Sequence, residues 1–374
     1  MEILYELWLH TICDFEPETV EKAVVLFENT GRRFSSNMAD RFKLAKAGVS
    51  SKLADRIGEA EYFKQAQEIL EYCNNNDIRI IKQDSEEYPA ALKHINSPPR
   101  ILFAKGKRID LNNNLCVSVV GSRKPTPQGK AVAHGIGKSL AAEGVVVVSG
   151  MAEGIDAEAH RGALDAGGKT VAVLAGSVDT IYPKSNQKLY YDILECGMII
   201  SERPPGTVVK PYFYQQRNRI VVGLSQGTVV TEGELSSGTA ITARIAAENN
   251  RDVFAVPGNP LNTMAELPNC LIGEGAIIVD KIERPLEYYK ETKAEYFEKS
   301  FPSKQEEVKR FEGFSDDDRA ILGFIAERGG VADAEEMAEE LGFSPSVLGT
   351  KLTVLCIRGV LRQESGNRYV VIKH

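Results

Sequence analysis

Seven short apolar runs recur between about Asn114 and Asp280: Cys116–Val120, Val145–Ser149, Thr170–Leu174, Met198–Ile200, Thr228–Thr231, Val253–Val256 and Ala276–Val279. Amphipathic helical stretches separate most of them. The runs are near-continuous in Val and Ile rather than alternating apolar with polar residues. A strand of that texture is buried on both faces, which in an alternating strand–helix chain means a parallel sheet covered by helices on either side. The expected core is a Rossmann-like, doubly wound parallel α/β sheet over residues 114–281.

The remaining sequence divides around that core. With 374 residues there is room for two or three domains. Residues 1–60 read as a helical module of the sterile-alpha-motif or helix-hairpin-helix kind. One apolar stripe there is Val20, Val24, Val25 and Phe27, and a second is Leu44, Ala45, Val49, Leu53 and Ile57. Residues 61–113 read as a connector with a helix near Tyr62–Asn74, a strand at Arg79–Lys82, turns at Tyr88-Pro89 and Pro98-Pro99, and the apolar Ile101–Ala104. Residues 282–312 are charged and weakly periodic, as in a linker. In residues 313–374, Ile321, Phe324 and Ile325 mark one helix and Met337, Ala338 and Leu341 a second. Ser344-Pro345 opens a third with Val347, Leu348, Leu352 and Leu355. Val360-Leu361 and Tyr369–Ile372 then flank the turn Ser365-Gly366-Asn367. Three helices and a hairpin are the winged-helix arrangement.

Charge narrows the functional classes. The net charge of −7 excludes a broadly basic surface, so a polyanion must be held by a local cluster. Residues 313–374 carry seven Lys+Arg against ten Asp+Glu, and the third helix offers only Lys351 and Arg358. A net acidic module binds phosphate poorly at physiological salt, so protein contact or regulation is its expected role rather than DNA reading. Met1–Glu6 has no basic n-region and no apolar run approaches the roughly 20 residues of a membrane span, so a cytoplasmic protein without membrane contact is expected. The six cysteines are scattered singly and the five histidines show no ligand spacing, so no disulfide, metal site or thiol chemistry is assigned.

The chemistry-bearing residues cluster at strand ends. Gly121-Ser122-Arg123 follows Val117–Val120 and precedes a helix opened by Thr126 and Pro127. Small residues let the backbone approach a phosphate, helix-start N–H groups face it, and Arg123 can grip it bidentately. The spacing is not G-x-G-x-x-G, so a dinucleotide is not expected. Ser149-Gly150-Met151-Ala152-Glu153-Gly154-Ile155-Asp156 is a second such loop, with Asp156 placed to cap a helix from Ala157. Gly233–Thr239, containing Gly238, is a third. Each loop alone is equally well a tight strand-to-helix turn; three together, with Arg123, Lys124, Lys184, Arg217 and Arg219, favour an anion site. Arg217-Asn218-Arg219 suits oxygen-rich contacts and equally suits anchoring a loop to a carboxylate. Tyr212, Phe213 and Tyr214 suit base stacking, with aromatic packing or a subunit interface favoured for at least two of them. Gly167-Gly168-Lys169-Thr170 is not a phosphate loop: it lacks the upstream glycine and leads into a strand, so it reads as a helix C-terminal glycine. His160 reads as structural. Glu232 stands without a second acid, which favours a loop-holding role over a base.

In order along the chain, Gly121-Ser122-Arg123-Lys124-Pro125, Ser149-Gly150-x-Ala152-x-Gly154-Ile155-Asp156, Ala159-His160, Tyr182-Pro183-x-x-Asn186, Ser201-Glu202, Arg217-Asn218-Arg219-Ile220, Gly223-Leu224-Ser225, Ser237-Gly238-Thr239, Thr242-Ala243 and Val256-Pro257-Gly258 resemble the DNA-processing protein A (DprA, or Smf) family. The match spans residues 80–280. The resemblance implies a non-enzymatic protein, with no cofactor, that protects single-stranded DNA entering during natural transformation and loads the RecA recombinase onto it, usually as a homodimer. Arg123 would match the family's phosphate-gripping arginine and Lys184 a second basic contact. Gly121, Ser122, Ser149, Gly150 and Gly238 would line the same pocket, and Asn186, Arg217 and Arg219 belong to the matched motifs. The chain departs from the family pattern at Tyr214-Gln215-Gln216, where Phe-Pro is common before the Arg-Asn-Arg step. It departs again at Glu232-Gly233, where Glu-Ala is common, and at Leu267, where a glycine is common. Two rival expectations are a nucleotide-binding or N-glycosidic hydrolase like the lysine-decarboxylase-like proteins, of which Glu234–Thr239 is a partial echo, and an adaptor acting through its last 60 residues.

Overall fold

The computed structural model describes residues 3–29, 50–57, 59–300, 315–327, 331–358, 360–364 and 367–371. The chain forms two compact units, Met1–Phe297 and Glu298–His374.

Among the described residues, the first unit is built on a nine-stranded sheet: β1 (Arg79–Lys82), β2 (Ile101–Gly106), β3 (Cys116–Val120), β4 (Val146–Ser149), β5 (Thr170–Val173), β6 (Met198–Ser201), β7 (Gly227–Val230), β8 (Asp252–Ala255) and β9 (Ile277–Ile278). The spatial order is β1-β2-β6-β5-β4-β3-β7-β8-β9. Strands β6 through β9 pair in parallel, and β1 and β2 extend the β6 edge in antiparallel fashion. All seven expected apolar runs become strands within a residue or two of their expected ends. Every residue of β3, β4, β5, β6 and β7 is buried, as continuous apolar runs require. The chain moves outward from β3 to β6, then returns to β7 on the other side of β3. The sheet therefore has its switch point between β3 and β7, where open α/β sheets bind ligands at the carboxyl ends of their strands.

Helices Pro127–Ala142 and Ile155–Asp165 cross on one face at backbone contact. A Cβ at Gly137 would stand 2.3 Å from the Ala159 carbonyl oxygen, and one at Gly162 would stand 2.0 Å from the His134 oxygen. After Asp165 the chain leaves the helix through Gly167 at φ +67°, then enters β5 at Thr170. Gly167-Gly168 is thus the helix-terminating turn expected from the sequence.

Two stretches differ from expectation. Residues 61–113, expected as a connector, supply β1 and β2, so the segment is part of the sheet; Ile101 to Ala104 are all buried. In the expected linker, Arg284–Thr292 and Ala294–Ser300 are helical. Tyr289 is fully buried against Phe254, with ring centroids 5.6 Å apart, and its hydroxyl donates to Asp252 Oδ2 at 2.9 Å. Aromatic burial anchors a segment that charge alone made look solvated. Residues 301–314 lie outside the described residues.

Helices Ile3–Ile12, Pro17–Asn29, Ser51–Ile57 and Ala60–Asn75 pack on the sheet around Leu7, Trp8 and Ile12, in one core with Phe103 and Leu174. The Arg203 guanidinium donates to the Phe15 carbonyl at 2.5 Å, and Arg100 pairs with buried Glu6 at 3.1 Å. Of the expected stripes, Val20 and Val24 are buried but Val25 is exposed; the side chain of Phe27 and residues Leu44, Ala45 and Val49 lie outside the described residues.

In the second unit, helices Asp316–Glu327, Ala334–Leu341 and Pro345–Ile357 enclose Ile321, Ile325, Met337, Leu348, Leu352 and Leu355. Val347, expected in that core, is 46% exposed because the helix turns it away from Leu348. Strands β10 (Val331–Asp333), β11 (Leu361–Glu364) and β12 (Arg368–Val371) pair antiparallel in the order β10-β12-β11. Only the last two were expected; Ser365, Gly366 and Ile372 of that hairpin lie outside the described residues. No described helix is long and apolar enough to cross a membrane.

His160 is an internal polar group of this fold. Its Nδ1 lies 2.6 Å from Thr170 Oγ1, whose own proton goes to the Val147 carbonyl at 2.7 Å, so Nδ1 carries hydrogen and donates. Burial first, then Arg217 and Arg161, lower its pKa from 6.5 to about 3. In the window between those values the unfolded chain binds a proton that the folded chain refuses. Stability therefore falls as pH drops below 6.5, by up to about 1.4 kcal/mol per pH unit from this side chain. His10, also held low by burial, contributes in the same sense. His160→Asn keeps a donor for Thr170 and should flatten the urea-unfolding free energy between about pH 6.5 and 4.5. A slope as steep as in the parent chain would contradict the assignment.

Candidate nucleic-acid interface

A cleft of about 900 Å³ opens over the carboxyl ends of β4, β3 and β7, at the switch point. Gly121-Ser122-Arg123 forms one wall. Ser122 N–H donates to the Glu232 carbonyl at 2.8 Å, and its own carbonyl accepts from Ile155 N–H at 3.2 Å, so the turn is clamped by the loops after β7 and β4. Thr126 caps the next helix, its hydroxyl accepting from Gly129 N–H at 3.0 Å. The Glu232 carboxylate takes the Thr126 hydroxyl at 2.6 Å and the Thr126 N–H at 2.8 Å. Glu232 therefore holds a loop, as the sequence favoured.

The opposite wall is helix Phe213–Gly223. Tyr214, Arg217, Asn218 and Val221 face the cleft at the spacing of one helix face. The Arg217 guanidinium is buried: it donates to the Gly150 carbonyl at 2.6 Å and to the Val173 carbonyl. Gly150 N–H donates to Asp156 Oδ2 at 3.1 Å. Burial pushes the Asp156 carboxyl pKa up and the Arg217 pKa down, and each charge partly offsets the other's shift. Asp156 lies inside the first turn of a helix whose N-cap is Gly154, so it staples the preceding loop and does not cap Ala157 as expected.

The exposed chemistry lies above this floor. The Arg123 guanidinium stands 4.8 Å from the centroid of the Tyr214 ring, and Tyr214 lies 6.3 Å from Tyr182. Burial and the neighbouring Tyr182 raise the Tyr214 pKa, so the phenol stays protonated at neutral pH. Lys124 and Lys210 are further exposed cations lining the cleft. Ser237 is the N-cap of helix Gly238–Glu248, and its buried Oγ has no partner. The first N–H groups of a helix lack intrahelical acceptors and carry partial positive charge, so this corner suits an anion.

Of the ten residues expected at the site, Gly121, Ser122, Arg123, Gly150, Arg217 and Gly238 line the cleft. Arg217 does so as its floor, with its donors spent on carbonyls. Ser149, Lys184, Asn186 and Arg219 do not line it. Ser149 Oγ is buried and donates to the Val119 carbonyl at 2.7 Å. Asn186 is buried and donates to the Met151 carbonyl at 3.0 Å. Arg219 pairs with Glu202, because two residues along a helix point to nearly opposite sides. Lys184 is exposed on a short turn of helix outside the lining. Tyr212 donates to Glu16 and Phe213 is buried beneath Arg203, leaving Tyr214 as the aromatic of that trio in the cleft. Tyr182 and Lys210 were not expected at the site; Tyr182 opens the matched Tyr182-Pro183-x-x-Asn186 run, and Lys210 carries no motif.

A family model described as DNA recombination-mediator protein A matches residues 79–290. The chain belongs to that family. DNA processing protein DprA of Bacillus subtilis is 37% identical over 238 residues, which is 64% of this chain and 80% of the relative. The X-ray structure of DNA processing protein A from Streptococcus pneumoniae superimposes with a TM-score of 0.66 at 30% identity, over 77% of this chain and 98% of that one. DNA processing protein A from Helicobacter pylori, solved for its single-stranded DNA binding mode, matches with a TM-score of 0.53 at 28% identity, over 57% of this chain and 96% of that one.

Two positions singled out in the sequence, Gly233 and Leu267, meet in this chain. A Cβ at Gly233 would stand 3.1 Å from Leu267 Cδ2, so the bare glycine leaves room for the leucine side chain. Gly233→Ala should cost about 1 kcal/mol by overpacking and Leu267→Ala about 2–3 kcal/mol by leaving a cavity. The double variant should be less destabilised than the sum by about 0.5 kcal/mol or more. Strict additivity in urea unfolding would show that the two positions do not compensate.

Proposed function

We propose that this chain binds single-stranded DNA by its sugar-phosphate backbone in the switch-point cleft, protects it during natural transformation and passes it to the RecA recombinase. The observation that carries the reading is Arg123 held over Tyr214 at the rim of a cleft whose far corner is a free helix N-terminus. A guanidinium and an open amide corner suit phosphate, and Tyr214 and Tyr182 supply faces on which any base can stack. The single-stranded DNA binding mode of the Helicobacter pylori relative supports the same ligand. Membership of the DNA recombination-mediator family supports a role beside a recombinase. Action as a cytoplasmic homodimer without catalysis accords with the family resemblance. The rival hydrolase reading rests on Glu234–Thr239, whose Glu234 lines the cleft, whereas Glu232 is committed to Thr126.

The three helices and antiparallel strands of the second unit support reading it as a winged helix. Its third helix presents Val347, Val354 and Ile357 to solvent, and Lys351 pairs with Asp317 at 3.0 Å. An apolar, charge-neutralised helix face suits a protein contact better than a phosphate backbone.

Arg123 is exposed, so Arg123→Ala should fold with unchanged thermal stability and bind an unstructured oligonucleotide about tenfold or more weakly. Its log K–log salt slope should shrink by about 0.7, one phosphate contact on a single strand. Lys184→Ala, outside the cleft lining, should lose less. Fluorescence anisotropy across a salt series measures both; parent-like affinity in folded Arg123→Ala overturns the proposal.

A further inference from the structure

A second cavity, of about 390 Å³, lies beyond the wall formed by Thr126 and Glu232, at the carboxyl ends of β7 and β8. Its lining contains no Lys or Arg, and the Glu232 carboxylate stands in its wall, so the site repels phosphate. Gln128, Asn259 and Asn262 supply amides instead. The two asparagines accept backbone N–H groups through Oδ1, from Leu261 at 2.9 Å and Met264 at 3.1 Å, which leaves their Nδ2 groups to donate. Val132 and Val256 add apolar surface. Thr231 is a lining residue 1% exposed, and its Oγ1 has no hydrogen-bond partner. An unpaired buried hydroxyl is destabilising, and such groups call for an explanation by what occupies the site.

Donors and acceptors mixed on neutral amides, between apolar walls and without a cation, match the edge and faces of a nucleobase. Position strengthens the match. A small cavity over β5 and β4, the main cleft over β4, β3 and β7, and this cavity over β7 and β8 follow one another along the carboxyl edge of the sheet. Neighbouring strands are about 4.8 Å apart, so the track from β5 to β8 runs about 19 Å, enough for several nucleotides. We propose that the β7–β8 cavity takes a nucleobase, that of a nucleotide flanking the one whose phosphate is held at Arg123. This rests on the single-strand reading of the main cleft.

Full-length Thr231→Val and Gln128→Ala separate a ligand role from a structural one. Removing an unpartnered hydroxyl should leave thermal stability unchanged or higher, and Gln128 is exposed on its helix. Each variant should nevertheless bind a thymidine oligonucleotide of about ten residues roughly three- to tenfold more weakly. A single abasic site moved along the oligonucleotide should, at one position, cost the parent chain a similar factor and cost Thr231→Val nothing further. Parent-like binding of both intact and abasic strands by both variants overturns the proposal. If the parent binds no oligonucleotide, the strand reading fails separately. Titration with free thymidine, which carries no phosphate, then decides the cavity: binding weakened by Thr231→Val supports a base site, and no binding, or binding indifferent to that change, overturns it.

Discussion

The buried Arg217 guanidinium is the contact on which the arrangement of the cleft depends. By donating to the carbonyls of Gly150 and Val173, it ties helix Phe213–Gly223 to the ends of β4 and β5. That tie fixes the rotation of the helix, and rotation decides which residues face the cleft. Tyr214, one turn earlier on the same face, is carried to the place where Arg123 covers its ring. Asn218, the next residue on that face, donates to Thr242 Oγ1 at 2.9 Å and so links the helix to Gly238–Glu248, whose N-terminus forms the anion corner. The two walls are thus set by one cation that makes no use of its charge toward solvent.

Such an arrangement is costly in isolation. A guanidinium and a carboxylate removed from water lose more solvation than their attraction returns unless every donor finds an acceptor. Here Arg217 donates to two carbonyls and to Asn218, while Asp156 accepts from Gly150. Burial still dominates the shifts of both groups. What the pair provides is geometry: the small-residue loops after β3 and β4 are held open and close to the helix at once. Gly150 belongs to the same constraint, because a Cβ there would stand 2.3 Å from Arg217 Nη1. The glycine that reads from sequence as a phosphate-approach residue is needed first for the arginine beneath it.

This explains what the sequence disclosed and what it withheld. Strand positions were legible because a strand buried on both faces has no freedom to alternate. The runs from Cys116 and Thr170 begin where the strands begin. The switch point followed from the order of those strands. Side-chain direction was not legible, since Arg217 and Arg219 are chemically identical and two residues apart, and only the helical phase sends one to the floor and the other to Glu202. Ser149 and Asn186 are both expected at the site, yet each donates to a carbonyl of its own core. The helices after Arg284 were hidden because their burial rests on Leu286 and Tyr289 amid charged neighbours.

The proposed strand reading also requires an acidic chain to hold a polyanion. With a net charge of −7, long-range attraction is weak, and the exposed cations lining the cleft are Arg123, Lys124 and Lys210. Three phosphate contacts give a log–log salt slope of only about −2 on a single strand, far shallower than that of a broadly basic groove. Affinity must then come from contacts that salt does not screen: rings at Tyr182 and Tyr214, helix-start N–H groups beside Ser237, and neutral amides beyond Glu232. Stacking is indifferent to base identity, which suits the proposed binding of a strand of any sequence. On the proposed reading, a shallow salt slope and low sequence preference are therefore two consequences of one design, in which charge positions the strand at Arg123 and neutral surfaces retain it.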